Sequence, residues 1–154
     1  MGVSGAGKTT IGQALAAALN ATFLDADDFH PPENRRKMAS GIPLDDTDRA
    51  PWLSAISQRL SKSDSLVLAC SALKENYRTT LRAARPDLRI IFLRVSREIL
   101  LHRLANRPNH FMPASLLDSQ LTTLEPPKDS LLIDATRPLP DILNDIKNHL
   151  TNAI

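Results

Sequence analysis

The octet Gly2-Val3-Ser4-Gly5-Ala6-Gly7-Lys8-Thr9 satisfies G-x-x-x-x-G-K-[S/T] at every fixed position and starts at the second residue of the chain. Its glycines let the backbone curl until successive N–H groups face one point, while Lys8 reaches the outer groups of a polyphosphate and the Thr9 hydroxyl can ligate Mg2+. A helix beginning there adds its positive dipole end. Gly2, Val3, Ser4, Gly5, Ala6, Gly7, Lys8, Thr9 and Thr10 are therefore the candidate binders of a nucleoside triphosphate, with ATP and Mg2+ as the expected pair. The motif normally hangs on a buried strand, and here only Met1 stands before it, so the first strand of the strand–loop–helix unit is missing from the sequence as given. A start placed at an internal Met ranks first as the reason and a shortened chain second. Tolerance of a lost central strand ranks third, because that loss exposes the ladder hydrogen bonds and apolar faces of its neighbours.

The rest of the chain fits one soluble domain spanning 1–154. It has 42% hydrophobic and 23% charged residues, enough for a sizeable core. Nineteen basic residues are interspersed with 17 acidic ones for a net charge of +2, which leaves no electrostatic footprint for nucleic acid. No apolar run is long enough for a membrane span and no leader pattern is present. The single Cys excludes an internal disulfide and fits a reducing, cytoplasmic setting.

Short apolar runs at 21–24, 66–70, 90–95 and 131–133 alternate with helical patterns at 9–19, 32–39, 47–61, 72–84, 96–106, 113–124 and 138–151. Strands alternating with helices predict an α/β fold with a parallel sheet covered on both faces, a three-layer P-loop architecture lacking its first strand. Ligands of such sheets sit at the carboxyl ends of the strands. The segments following the runs are Asp25-Ala26-Asp27-Asp28, Cys70-Ser71-Ala72-Leu73-Lys74, Ser96-Arg97 and Asp134-Ala135-Thr136-Arg137.

Asp25, Asp27 and Asp28 repel one another unless a cation or donors compensate, which suits a magnesium-associated site. In an extended segment Asp25 and Asp27 point the same way. Phosphoryl transfer needs in-line positioning, charge neutralisation and a carboxylate that takes or orients the acceptor hydroxyl; Asp27 is the candidate for that role and Asp25, with Thr9, for the metal. Arg103 and Arg107 end a predicted helix ahead of a short irregular stretch, so residues 103–113 read as a lid bringing an Arg over the transferred group. Residues 31–60 exceed a simple crossover and read as a helical insertion capping the acceptor pocket, with Arg49 paired to a carboxylate. Lys74 and Arg78 lie four apart and can reach an anionic end of the substrate, though ordinary surface cations would look the same. His30 and His110 flank the pocket. Cys70 reads as a small buried apolar residue, and Trp52 as packing with Leu53 and Ile56.

Several blocks together resemble the bacterial gluconokinases: the opening nonapeptide, Leu24-Asp-Ala-Asp27 with His30-Pro31, Lys37-Met-Ala-Ser-Gly41 with Pro43-Leu44, Asp48-Arg49 with Pro51-Trp52-Leu53, Cys70-Ser-Ala-Leu-Lys74 with Tyr77-Arg78, then Arg103, Arg107, His110-Phe111-Met112-Pro113 and Ser119-Gln120. The resemblance covers nearly the whole chain. It implies a fold like that of shikimate and nucleoside monophosphate kinases, transfer of the ATP γ-phosphate to the 6-hydroxyl of D-gluconate, and a cytoplasmic homodimer. By position it implies Lys8 and Thr9 for ATP and Mg2+, Asp27 for the acceptor hydroxyl, Arg49, Lys74 and Arg78 for the sugar acid, and Arg103 and Arg107 for the lid. Thr136-Arg137-Pro138 matches the segment that wraps adenine in related kinases. Two other readings stay open: a shikimate- or nucleotide-type kinase, and a nucleotide-binding module without turnover.

An N-terminal extension of about 6 to 12 residues rich in Val and Ile is expected to raise solubility and melting temperature. Thermal melts of the two chains check this, and an extended chain that melts no higher contradicts it.

Overall fold

The computed structural model describes residues 1–62, 64–106 and 115–152. Lys8–Leu19 forms α1, entered through Gly7 at φ 92° and left through Asn20 at φ 51°. Both are left-handed positions, open to glycine and accessible to asparagine. Helical spacing puts Ile11, Leu15 and Ala16 on the buried face. Gly12 sits where a Cβ would come 2.8 Å from the Phe23 ring; the missing side chain lets α1 lie close against the following strand.

That strand, β1 (Thr22–Asp25), pairs in parallel with β2 (Leu66–Ala69), and β3 (Ile91–Arg94) pairs in parallel with β4 (Leu131–Asp134). Among the described residues no hydrogen-bonded strand joins β2 to β3, so the sheet is two separate pairs. Leu66, Val67 and Leu68 are only partly buried, unusual for strands of a parallel sheet, which are normally covered on both faces.

The helices α2 (Pro32–Ala39), α3 (Asp46–Leu60), α4 (Glu75–Ala84), α5 (Arg97–Ala105), α6 (Ser115–Thr123) and α7 (Leu139–Asn152) alternate with the strands. Ser96 caps α5 through Ile99 N–H. α3 opens on a reciprocal box in which Asp45 accepts from Asp48 N–H and Asp48 accepts from Asp45 N–H, satisfying two donors that a helix start leaves orphaned. The helix expected from Ala72 begins only at Glu75. Ala72 is left-handed at φ 43°, and the buried Arg78 guanidinium donates to the carbonyls of Ala72 and Leu73, holding that bend open.

Two apolar clusters hold the elements together. One joins the phosphate loop to β3, β4, α5 and α7 through Val3, Ala6, Leu93, Leu100, Ile133 and Ile142. The other packs α3 and α4 around Trp52, Ile56, Tyr77 and Leu81. Trp52 is fully buried, donates from Nε1 to the Ala26 carbonyl at 2.7 Å, and stacks on His30 with ring centroids 4.7 Å apart. Truncating such a side chain to Ala costs about 3–5 kcal/mol.

Burial, then the charges of Arg49 and Arg35, push the His30 imidazole down to about 4 from its ordinary 6.5. The folded state thus keeps His30 neutral where the unfolded chain protonates it. Its contribution is complete above about pH 6.5 and is lost as pH falls from there toward 4. Melting temperature measured across that interval is expected to fall on acidification, and less steeply in His30→Gln; equal slopes would contradict this account.

Candidate active site

The phosphate loop is tethered to four separate parts of the fold. A Cβ at Gly2 would stand 2.9 Å from the Leu93 carbonyl, so glycine lets the loop pass against β3. Ser4 N–H donates to Gln120 Oε1 of α6 at 2.7 Å. Arg103 of α5 donates to the Gly5 carbonyl at 3.1 Å and to the Ala135 carbonyl, just past β4, at 2.9 Å. Thr9 Oγ1 donates to Asp25 Oδ2 at 2.9 Å, linking α1 to the end of β1. Lys8 Nζ donates to the Val3 carbonyl at 3.0 Å and so curls over the loop it serves.

The acidic segment departs from the extended geometry expected of it. β1 stops at Asp25, and Ala26–Phe29 turns into a 3-10 helix that Asp25 caps by accepting from Asp27 N–H at 3.1 Å. Strand alternation therefore does not set the directions of these side chains. Asp25 is turned to Thr9, while Asp27 lines a cleft with Ser4, Lys8, His30, Arg49 and Gln120. The cleft encloses about 60 Å³. A larger cavity of about 280 Å³ lies between β2 and β3, away from these carboxylates.

Thr9 and Asp25 offer a hydroxyl and a carboxylate, the hard oxygen donors that Mg2+ takes. That ion keeps several waters and borrows substrate phosphate oxygens, so a dense protein cage is not needed. Among the described residues no group of three or more His, Cys, Asp or Glu side chains could hold a metal.

Among the described residues Arg49 forms no ion pair with a carboxylate of the chain itself. Its guanidinium lies over the Tyr77 ring at 5.5 Å, and its Nε is buried without a hydrogen-bond partner. The acidic residues of the 31–60 segment are spent locally: Asp48 binds Lys37 Nζ at 2.6 Å as well as closing the α3 box, and Asp46 takes Lys74 Nζ at 2.8 Å and the Tyr77 hydroxyl. Lys74 is thus committed to Asp46. Arg78, expected at the substrate, is instead 1% exposed, bound to Glu75 and to the 72–73 carbonyls, and it lines the larger cavity. An interior guanidinium with these partners acts as a structural clamp on the 72–75 bend.

In the Thr136-Arg137-Pro138 turn, Asp134 accepts from the Thr136 N–H and hydroxyl, which holds the Asp134 carboxyl below the usual carboxylate range. Arg137 pairs with Asp145 at 2.5 Å. The Ala135–Arg103–Gly5 link joins this turn to the phosphate loop. Arg107 and His110, with most of the expected lid, lie outside the described residues. Cys70 is buried, and burial pushes its thiol up to about 11, as suits an inert core residue.

Three residues were given no role from sequence. Gln120 holds the Ser4 amide across 116 positions. Asn34 is buried and donates to the Asp48 carbonyl at 2.7 Å, with the His30 ring nitrogen 3.4 Å away. Tyr77 lies beneath Arg49. Only Asn34 left a local signal, its i+4 spacing from His30 at the start of a helix.

A model of the shikimate kinase family matches residues 4–130. A probable gluconokinase of Dictyostelium discoideum is 45% identical over 167 aligned positions, which cover 97% of this chain and 84% of that protein. The gluconokinase of Gluconobacter oxydans is 47% identical over 133 positions, covering 84% and 75% respectively. The crystal structure of a gluconokinase from Sinorhizobium meliloti superposes with a TM-score of 0.91 at 45% identity, over 99% of this chain and 90% of that one. Relatives this similar over most of their length and of this chain show that it belongs to the gluconokinase family of P-loop kinases.

Proposed function

We propose that the chain transfers the γ-phosphoryl group of ATP to the 6-hydroxyl of D-gluconate, giving 6-phospho-D-gluconate and ADP. The observation that carries this reading is that Lys8 and Asp27 share one cleft with His30 and Arg49. Lys8 and the loop amides grip the polyphosphate. Asp27 accepts the proton of the 6-hydroxyl as that oxygen bonds to the γ-phosphorus and the bond to the β–γ bridging oxygen breaks, with ADP leaving. Thr9 and Asp25 would hold Mg2+, which supplies charge neutralisation at the phosphate oxygens. Arg49 supports an oxygen-rich, anionic acceptor, because its buried Nε lacks a partner and a buried donor left unsatisfied seeks one. His30 stays neutral near pH 7 and serves as an uncharged wall of the same cleft.

Arg103 sits between the phosphate loop and the turn after β4, which supports a role beside the nucleotide, with Thr136, Arg137 and Pro138 flanking its base. We assign Arg107 and His110 to a closing lid by resemblance, and Lys74 to the rim of the acceptor side, tied there through Asp46. α2 and α3 form the acceptor-side cover. The reading carries with it a homodimer, by resemblance, and a cytoplasmic setting. A buried free thiol supports that setting; no helix among the described residues is long and apolar enough to cross a membrane.

A coupled ADP-release assay over gluconate, shikimate, nucleoside monophosphates and no acceptor is expected to respond to gluconate. Hydrolysis independent of acceptor would remove the kinase reading, and a response to shikimate alone would move it to another substrate. In the same assay Lys8→Ala and Asp27→Asn are each expected to lower kcat by several orders of magnitude with modest change in gluconate KM. Near-normal turnover in Asp27→Asn would mean that another group orients the hydroxyl.

A further inference from the structure

One side of α6 belongs to the cleft that holds Asp27 and Lys8. Leu116, Ser119, Gln120 and Thr123 all line it, and their i, i+3, i+4, i+7 spacing is a single helical face. Contacts with three other elements set the rotation of that face. Asp118 takes two Arg97 nitrogens of α5 at 2.8 and 3.0 Å, and Gln120 takes the Ser4 amide of the phosphate loop. Just past the helix end, Glu125 N–H donates to the Leu73 carbonyl at 2.8 Å, and the Glu125 carboxylate accepts from Glu75 N–H at 2.7 Å, at the start of α4.

Gln120 is the member of that face whose two ends can be told apart. Its side-chain oxygen lies 2.7 Å from the nitrogen of Ser4, a buried residue. A backbone N–H can only donate, so Oε1 must be the atom that meets it, and flipping the carboxamide would set donor against donor. Nε2, which carries two N–H donors, is therefore the end with which Gln120 addresses an acceptor oxygen. Ser4 belongs to the loop that grips the polyphosphate, so a side chain bonded to it stands at the reacting end of the cleft. The acceptor-side groups already placed there do other work. Asp27, while ionised, only accepts, and Arg49 suits an anionic end of the substrate. A neutral donor for a hydroxyl oxygen beside the reacting group is what Gln120 adds.

We propose that Gln120 is a specificity-determining contact of the acceptor site: Nε2 donates to the oxygen of the hydroxyl next to the one phosphorylated, the 5-hydroxyl of gluconate, while Oε1 stays on Ser4 N–H. This rests on the gluconate reading above. Carbon 5 adjoins the carbon that bears the reacting oxygen, so its hydroxyl is the first one that a group anchored at the phosphate loop meets. One side chain then ties the acceptor to the loop that carries the phosphoryl group, which fixes the approach of the 6-hydroxyl. Gln120 is half-buried. An acceptor with a methylene at carbon 5 leaves that donor unsatisfied, and the site discriminates against it.

The test measures kcat/KM for D-gluconate and for 5-deoxy-D-gluconate in the full chain and in its Gln120→Met and Gln120→Glu variants, with the melting temperature of each. The unchanged chain is expected to prefer gluconate by at least about tenfold. Gln120→Met lacks both ends of the amide; Gln120→Glu keeps an oxygen for Ser4 N–H and, at neutral pH, has no donor. Each is expected to bring the preference to within about twofold. Every ratio is taken within one protein, so an added charge or a loosened loop acts on both acceptors alike. A purely structural tether gives another pattern, in which Gln120→Met melts lower and turns over both acceptors more slowly with the preference intact. No preference in the unchanged chain, or an intact preference in Gln120→Glu or Gln120→Met, would overturn the proposal. Turnover of gluconate with these ratios unmoved overturns this inference alone, whereas no turnover of gluconate removes the parent reading and this one with it.

Discussion

A phosphate loop keeps amides open for a ligand and closes few bonds within itself; here Ala6 N–H donates to the Val3 carbonyl at 3.2 Å. Everything around the phosphate loop of this chain compensates for that. The Ser4 amide is held by Gln120, the Gly5 carbonyl by Arg103, the Val3 carbonyl by Lys8, and the first turn of α1 by the Thr9–Asp25 hydrogen bond. These tethers come from α6, α5, the loop itself and β1, so the loop is the point at which distant parts of the chain converge. Its two buried apolar side chains, Val3 and Ala6, belong to the cluster that includes β3, β4 and α7, so loop geometry and core packing are one problem.

The acceptor side is built on a different principle, in which charges are consumed close to home. Asp45 and Asp48 start α3, Asp46 collects Lys74 and Tyr77, and Asp48 also takes Lys37. The acceptor side gives the cleft Asp27 from the turn, neutral His30 stacked on Trp52, and Arg49 with its buried Nε unpaired. A pocket whose polar groups are held in place, as His30 is by Trp52, can distinguish one acceptor by leaving those groups unsatisfied when the wrong molecule enters.

What the sequence made legible was local. The phosphate loop is contiguous, the bounds of α2 follow from its opening proline, and Ser96 caps α5 where its position suggested. Asp25 and Asp27 do lie near the loop, but the 3-10 turn that separates their directions depends on Asp25 capping Asp27, which the strand pattern hides. The burial of Arg78 was hidden because a cation four residues after Lys74 looks exposed in a helical projection. Its burial depends on the left-handed Ala72 and the two carbonyls this bend leaves to be satisfied. The contact of Gln120 with Ser4 was hidden for the opposite reason, since no spacing rule joins residues 116 positions apart.

The account turns on one geometric claim, that Asp27 and the phosphate loop converge on opposite sides of a single transferred group. A crystal structure of the chain with a non-hydrolysable ATP analogue, Mg2+ and D-gluconate measures it directly. The account predicts the analogue's γ-phosphate over Lys8 and the gluconate 6-hydroxyl within hydrogen-bond distance of the Asp27 carboxylate, in line with the bond to be broken. Gluconate bound with its carboxylate toward that phosphate, or Asp27 turned away from the acceptor, would contradict it.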